Sequence, residues 1–104
     1  IAKRVAAARA RQRARYETLG LPGAMTNAQC PSSLIERVAE PDAAGLALLM
    51  DASQKLGFSA RAYHRVLKVA RTLADLDNRD EVGRIHLAEA IAYRLPGERA
   101  ARAA

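Results

Sequence analysis

The strongest hydrophobic pattern in the chain runs from Ser59 to Asp77. Its apolar positions recur every three or four residues, the spacing that places them on one face of an α-helix. They are Tyr63, Val66, Leu67, Ala70, Leu73 and Ala74. Arg61, Arg65 and Lys68 fall together on the opposite face. Ser59 is a good N-cap residue, so the sequence predicts a long amphipathic helix that begins there.

Weaker periodic patterns predict four further helices. We expect them at residues 1–19, 33–39, 41–56 and 84–95. Ser33 and Glu36 fit a capping box at the start of the second helix, and Pro41 fits the first position of the third. Gly57 is expected to end that third helix in a left-handed conformation. Pro96–Gly97 is expected to end the last helix.

The breaks between these helices are polar or rich in glycine and proline. Residues 20–31 are expected to form a loop with at most one helical turn near Thr26–Ala28. Residues 77–81 form a second polar loop, and residues 96–104 are expected to be a frayed tail.

Each flanking helix also has an expected buried face. In the first helix it consists of Ile1, Val5, Ala8, Gln12 and Tyr16 or Leu19. In the third it consists of Leu46, Leu49, Met50, Ser53 and Leu56, and in the last of Ile85, Ala88, Ile91, Ala92 and Leu95. Tyr63 and Tyr93 are expected to be core residues.

These patterns predict an all-α fold, a small bundle of four to five helices. No stretch alternates like a strand, and 104 residues suit one domain. No apolar run approaches the roughly 20 residues that span a membrane. The single Cys30 excludes an internal disulfide and suits a reducing compartment, so the expected location is cytoplasmic.

The net charge of +6 is concentrated in the first helix. Residues 1–15 contain six cations and no acid: Lys3, Arg4, Arg9, Arg11, Arg13 and Arg15. Such a helix can face nucleic acid, an acidic partner domain or only water. Arg11 and Arg15 lie four residues apart and repel each other unless an acidic group faces them.

The chain contains no GxxxxGK[ST] phosphate loop and no strand that ends in acidic residues, so we expect no ATP hydrolysis by this chain alone. His64 and His86 lie in different helices without a cysteine or carboxylate at ligand spacing, so no metal site is expected. Arg61 stands in a first helical turn, where a nearby anion would offset its conflict with the helix dipole.

Three stretches resemble the C-terminal lid of magnesium-chelatase-like AAA+ ATPases of the ComM (YifB) type. Residues 59–76 resemble the sensor-2 helix of that family, residues 1–15 the opening helix and residues 86–94 the closing helix. Asn27-Ala28-Gln29 matches the family's linker. The motifs occur in the family's order and span nearly the whole chain.

The resemblance implies that residues 1–104 are a single helical lid domain from a larger AAA+ protein. Its expected partners are its own N-terminal AAA+ core, which would bind Mg-ATP, and neighbouring subunits of a hexamer. The parent would be an ATPase that processes DNA, in branch migration or recombination during natural transformation, without membrane contact. A chain that opens with Ile1 inside a helical pattern is itself expected to be a piece of a longer protein.

The resemblance also assigns residue roles. Arg61 corresponds to sensor 2, a catalytic residue that reaches the γ-phosphate of ATP in its own subunit or a neighbouring one. Arg65 and Lys68 would add positive potential near the phosphates, or face solvent. Arg4 and Arg9 are expected to make interdomain contacts.

Three alternatives remain open at this point. Residues 41–56 and 59–76 could form a stand-alone helix-turn-helix-like module with Arg61, Arg65 and Lys68 facing DNA. The chain could instead be the lid of a magnesium chelatase ATPase subunit, or a purely structural adaptor.

Overall fold

The protein folds as a bundle of five α-helices in a computed structural model, which describes the backbone of residues 2–21 and 25–103 and side chains as far as Tyr93. The helices are α1 (Ala2–Thr18), α2 (Ser32–Val38), α3 (Ala43–Leu56), α4 (Ala60–Leu76) and α5 (Arg84–Ala103), with a 3₁₀ turn at Asn27–Gln29. Within the described ranges the only β-type pairing is one bridge between Pro41 and Val82. The all-α prediction is confirmed.

Helix α4 lies at the centre of the bundle and packs against α1, α2, α5 and the 3₁₀ turn. It begins as predicted, because the Ser59 hydroxyl accepts a hydrogen bond from the Ala62 N–H at 3.1 Å. Val66, Leu67 and Ala70 of its apolar face are buried. Tyr63 and Leu73, also predicted for this face, are half-buried at its edges.

The predicted start of α3 is wrong and its predicted end is confirmed. Asp42, not a helical proline, begins the helix: its carboxylate accepts from the Gly45 N–H at 2.7 Å. Pro41 lies outside the helix, because its missing N–H and the bridge to Val82 suit an extended segment. Gly57 ends α3 with φ 64°, as predicted.

The capping box predicted at Ser33 and Glu36 is wrong. Helix α2 begins at Ser32 without a side-chain cap, and the Pro31 carbonyl accepts from the N–H groups of Leu34 and Ile35. Since Pro31 already fixes the chain entry, Ser33 lies inside the first turn, where it cannot act as a cap.

The predicted buried face of α3 was also partly wrong. Leu49 is buried, but Leu46 and Met50 are 43% and 56% exposed. The reason is the close approach of α5 to Gly45, where an added Cβ would lie 3.4 Å from the Arg84 nitrogen. This contact turns the glycine inward and moves Leu46 and Met50 to the side of the bundle.

Helix α5 is rotated relative to the prediction. Ile91 is buried, but its other buried residues are His86, Leu87 and Ala90. The predicted core residues Ile85 and Tyr93 are 72% and 67% exposed. Ala88 and Ala92, also predicted for this face, are exposed.

The predicted face of α1 is largely confirmed. Ala8 and Gln12 are buried, Tyr16 rather than Leu19 occupies the last predicted core position, and Val5 is exposed.

The rotation of α5 depends on a buried histidine with satisfied ring nitrogens. His86 Nδ1 accepts from the Gly83 N–H at 3.0 Å, and Nε2 lies 3.2 Å from an Asp77 carboxylate oxygen. A polar residue can therefore occupy the core face that periodicity reserves for apolar ones.

Some predictions concern chain ends. The α5 backbone continues through Pro96–Gly97 to Ala103, so the predicted end at Pro96 is wrong; the fixed φ of proline is itself compatible with a helix. Ile1 and the side chain of Leu95 lie outside what the structure describes, and the frayed tail stays a prediction.

A buried polar network joins α1, the 3₁₀ turn and α4 around the Asp75 carboxylate, whose side chain is fully buried. Arg15 binds it with both terminal nitrogens, at 2.6 and 2.9 Å. Arg71 approaches to 3.2 Å, and the Asn27 amide donates to it at 2.9 Å. The negative charge of the Asp75 carboxylate, which is shielded from solvent, is thus compensated by two guanidinium groups and an amide.

Asn27 connects this network to the rest of α1. Its side-chain oxygen accepts from the Tyr16 hydroxyl at 2.7 Å and from Arg15 at 3.0 Å. Its backbone N–H donates to Gln12 at 3.0 Å, and its amide also donates to Thr72 at 3.1 Å. Burial raises the pKa of the Tyr16 phenol, which therefore stays a neutral donor to Asn27.

No helix in the described part of the chain combines the length and apolar composition that crossing a membrane requires.

We expect Asp75→Asn to lower the free energy of unfolding by about 3–5 kcal/mol, because it leaves the buried guanidinium of Arg71 and the partly buried one of Arg15 without their counter-charge. Urea unfolding of the purified chain measures this. The matched control is Asp51→Asn, which removes an exposed carboxylate 3.3 Å from Lys55 on α3. It should change the free energy by less than about 0.5 kcal/mol. Equal effects of the two substitutions would contradict a central role for the network.

Candidate functional site

The first turn of α4 presents Arg61 to solvent. Ser59 caps the helix, and Arg61 follows two residues later with an exposed side chain. Within the described residues this guanidinium forms no hydrogen bond or ion pair. Arg61 is therefore available to an external anion at the positive end of a helix.

The basic row predicted on α4 divides into free and bound members. Arg65 is exposed on the same face as Arg61, one turn further along. Lys68 is half-buried, and its ammonium donates to the Ala28 carbonyl at 3.1 Å. Lys68 thus holds the 3₁₀ turn against α4, which leaves two guanidinium groups available for an external partner.

This arrangement has a defined chemical capacity. Two exposed guanidinium groups can stabilise negative charge on a phosphate, because each keeps its charge at any physiological pH. They lie on a convex helix surface, so the remaining contacts to a nucleotide would have to come from another part of an assembly. A contributing site of this kind can sense a phosphate but does not enclose it.

Three cations of α1, namely Arg4, Arg11 and Arg15, fix the end of α4 and the loop after it. Arg4 donates to the Leu76 carbonyl at 3.2 Å. Arg11 donates to the side chain of Asn78 at 2.9 Å and to Asp80 at 2.8 Å. Arg4 therefore has an intrachain partner that the sequence did not reveal. An interdomain contact of Arg9, which is exposed, stays a prediction.

The expectation that Arg11 and Arg15 need an acidic group opposite them is confirmed. Asp75 of α4 pairs with Arg15, and Asp80 of the loop after α4 pairs with Arg11. The sequence reasoning missed Arg71 and Asp75 as network residues. Their spacing of four along the edge of the α4 apolar face was the available signal.

The histidines bind within the chain. His64 lies 3.4 Å from a Glu36 carboxylate oxygen, and His86 contacts Asp77. No group of three or more histidine, cysteine or acidic side chains that could hold a metal ion occurs among the residues described.

Sequence comparison identifies the family to which this chain belongs. Residues 1–94 match the family described as magnesium chelatase, subunit ChlI C-terminal. The chain therefore belongs to the C-terminal domains of the magnesium-chelatase-like proteins.

Its relatives lie in the ComM and YifB group. The chain is 47% identical over 68 residues to a protein named competence protein ComM from Haemophilus influenzae. The aligned segment covers 65% of this chain and 13% of that protein. It is 38% and 39% identical over 94 residues, 90% of the chain, to proteins named YifB from Salmonella typhimurium and Escherichia coli. The chain spans only 17% of those two relatives. No solved structure matches it.

The Arg11 guanidinium holds the pKa of the Asp80 carboxyl below its usual range, mainly through their hydrogen bond. Because this pKa is lower in the folded chain, the contact contributes stability above the unfolded value of about 4. That contribution is lost as the pH falls through the folded pKa.

We therefore expect Arg11→Gln to raise the pKa of Asp80 and to weaken the loss of stability below about pH 4. A carbon NMR titration of the Asp80 carboxyl, with urea unfolding at several pH values, measures both effects. Arg13 is an exposed α1 arginine without a hydrogen bond or ion pair among the described residues, so Arg13→Gln should leave the Asp80 titration unchanged. Identical titrations in the wild type and Arg11→Gln would contradict this assignment.

Proposed function

We propose that this chain is the sensor-2 lid domain of a ComM-type AAA+ ATPase, in which Arg61 contacts the γ-phosphate of bound ATP. The supporting observation is the state of Arg61, an exposed guanidinium at the capped start of the central helix that has no partner among the described residues. Its residue type and position agree with the sensor-2 resemblance, and membership of the magnesium-chelatase-like family supports an ATPase parent.

The fold offers a way to couple this contact to motion. Arg61 lies on α4, which packs against α1, α2 and α5. A force on Arg61 is therefore transmitted to the whole bundle, since α4 cannot move without carrying the helices packed on it. Loss of the γ-phosphate would remove the contact and release the domain.

The proposed assembly supplies what the chain lacks. Mg-ATP would be bound by an N-terminal AAA+ core, with the nucleotide of the same or a neighbouring subunit facing Arg61 in a hexamer. Arg65 would add positive potential beside the phosphates. The bond of Lys68 to Ala28 favours a structural role for that residue over phosphate contact. DNA would be the substrate of the parent.

We expect Arg61→Ala in the intact parent ATPase to lower kcat on the order of 100-fold, because one well-placed donor to the transition-state charge is lost. A steady-state ATPase assay measures this. The same substitution should leave the unfolding midpoint of the present chain unchanged, since Arg61 binds no other side chain or carbonyl in the part of the chain that the structure describes.

The matched control is Arg13→Ala, another exposed helix arginine, which should retain wild-type turnover. Unchanged turnover in Arg61→Ala would refute the sensor-2 role and favour a structural adaptor. Comparable losses in both variants would point to a general charge effect.

A DNA titration distinguishes the lid from the helix-turn-helix-like alternative. We expect the chain on its own to bind duplex DNA negligibly at about 0.15 M salt. Few of the cations in the described residues both lack an intrachain partner and lie close to one another. A fluorescence anisotropy titration at several salt concentrations measures this. Salt-dependent binding that disappears in an Arg61→Gln, Arg65→Gln double variant would instead establish the DNA-binding alternative.

A further inference from the structure

A cleft of about 700 Å³ opens between α1, α2 and the loop that joins α4 to α5. We name it the arginine cleft, after the four arginines that line it: Arg11, Arg15, Arg37 and Arg71. Its volume lies within the roughly 300–1,000 Å³ typical of small-molecule sites. Arg61 does not line it, and Arg71 lies about 15 Å further along α4. The cleft is therefore separate from the proposed sensor-2 contact.

The charges around the arginine cleft are unbalanced. Glu40 and Asp80 are the acids of its lining, and the buried Asp75 lies behind Arg15 and Arg71. Arg11 pairs with Asp80, whereas Arg15 and Arg71 share the single carboxylate of Asp75, so these groups carry one excess positive charge. Arg37 of α2 and Glu40 are both exposed and form no side-chain bond among the described residues.

Arg71 provides an independent observation at the same place. It is 4% exposed, and its terminal nitrogens donate to the Asp80 and Arg79 carbonyls at 2.8 Å. Its Nε–H is buried and has no acceptor. Buried polar groups normally have partners. The Nε–H is closed to solvent, so its lack of an acceptor leaves the positive charge of Arg71 less compensated beside the cleft and does not offer a contact to a ligand.

The electrostatics of Arg71 agree with this. Burial lowers the pKa of its guanidinium, and the positive charges of Arg15 and Arg11 lower it further, against the opposing effect of Asp75. An anion in the cleft would stabilise the charged forms of all these arginines together.

The remaining lining limits the kind of anion. Leu19, Leu34 and Val38 give the cleft apolar walls. An adjoining hollow of about 390 Å³ shares two arginines and two acids with the cleft and adds the carboxylates of Asp42 and Glu81, which repel negative charge. A bound anion is thereby restricted to the α1–α2 end, where it meets arginines on one side and aliphatic side chains on the other.

We propose that the arginine cleft binds a small molecule in which an oxyanion, carboxylate or phosphate, is attached to an apolar body. The oxyanion contacts Arg37 beside the excess positive charge of Arg15 and Arg71, and the apolar body covers Leu34 and Val38. Guanidinium groups recognise both kinds of oxyanion through paired N–H donors.

The test is a nitrogen–proton NMR titration of the purified chain at constant ionic strength with benzoate, phenyl phosphate and inorganic phosphate. The Arg71 Nε–H resonance should shift saturably with both aromatic probes. The tighter of the two identifies carboxylate or phosphate as the preferred group. Inorganic phosphate should bind more weakly than either, because it leaves the apolar walls uncovered.

The matched variants are Arg37→Gln in the cleft and Arg13→Gln outside it. Arg37→Gln should weaken binding of the aromatic probes about tenfold, through loss of one charge-assisted contact. Arg13→Gln should bind as the wild type does. Both side chains are exposed, so an unchanged spectrum without ligand verifies folding.

Three results would overturn the proposal. The first is an Arg71 resonance that does not respond, or responds without saturation. The second is equal affinity of the wild type and Arg37→Gln. The third is a shift of the Arg13 resonance equal to that of Arg71, which would mean general attraction of anions to a basic protein.

Discussion

The Asp75 carboxylate is the group on which the arrangement of this bundle depends. It is fully buried, and a buried charge is tolerated only when its surroundings satisfy it. Arg15 from α1, Arg71 from α4 and Asn27 from the 3₁₀ turn do so together. Apolar packing alone would allow α1 to slide along α4. The bidentate Arg15 contact permits one register, because its two nitrogens must meet the two carboxylate oxygens.

This constraint gives the exposed part of α4 its significance. The network fixes the C-terminal half of the helix, and Ser59 fixes its first turn through the bond to Ala62. Arg61 is therefore presented from a rigid element, although its own side chain is unrestrained. A site that contributes a single charge to a larger assembly needs this combination, since the helix supplies position and the free side chain supplies reach.

The elements that could be predicted are those whose signals are local. Ser59 and Gly57 mark helix ends through their own chemistry, and the α4 apolar face follows from spacing. The faces of α3 and α5 were partly wrong because they depend on remote contacts, such as that of Gly45 with Arg84. The spacing of Arg11 and Arg15 predicts acidic partners but does not identify them, because Asp75 lies 60 positions from Arg15. No spacing rule links residues so far apart.

The loop between α4 and α5 is held chiefly through its main chain. Arg71 binds the carbonyls of Arg79 and Asp80, and Arg11 binds that of Asn78. A carbonyl is the same whatever side chain its residue carries. The shape of this connection thus depends on Arg11 of α1 and Arg71 of α4, and either arginine would be hard to replace. The loop sequence is constrained as well, because the side chains of Asn78 and Asp80 also bind Arg11 and Asn78 has a φ of 58°.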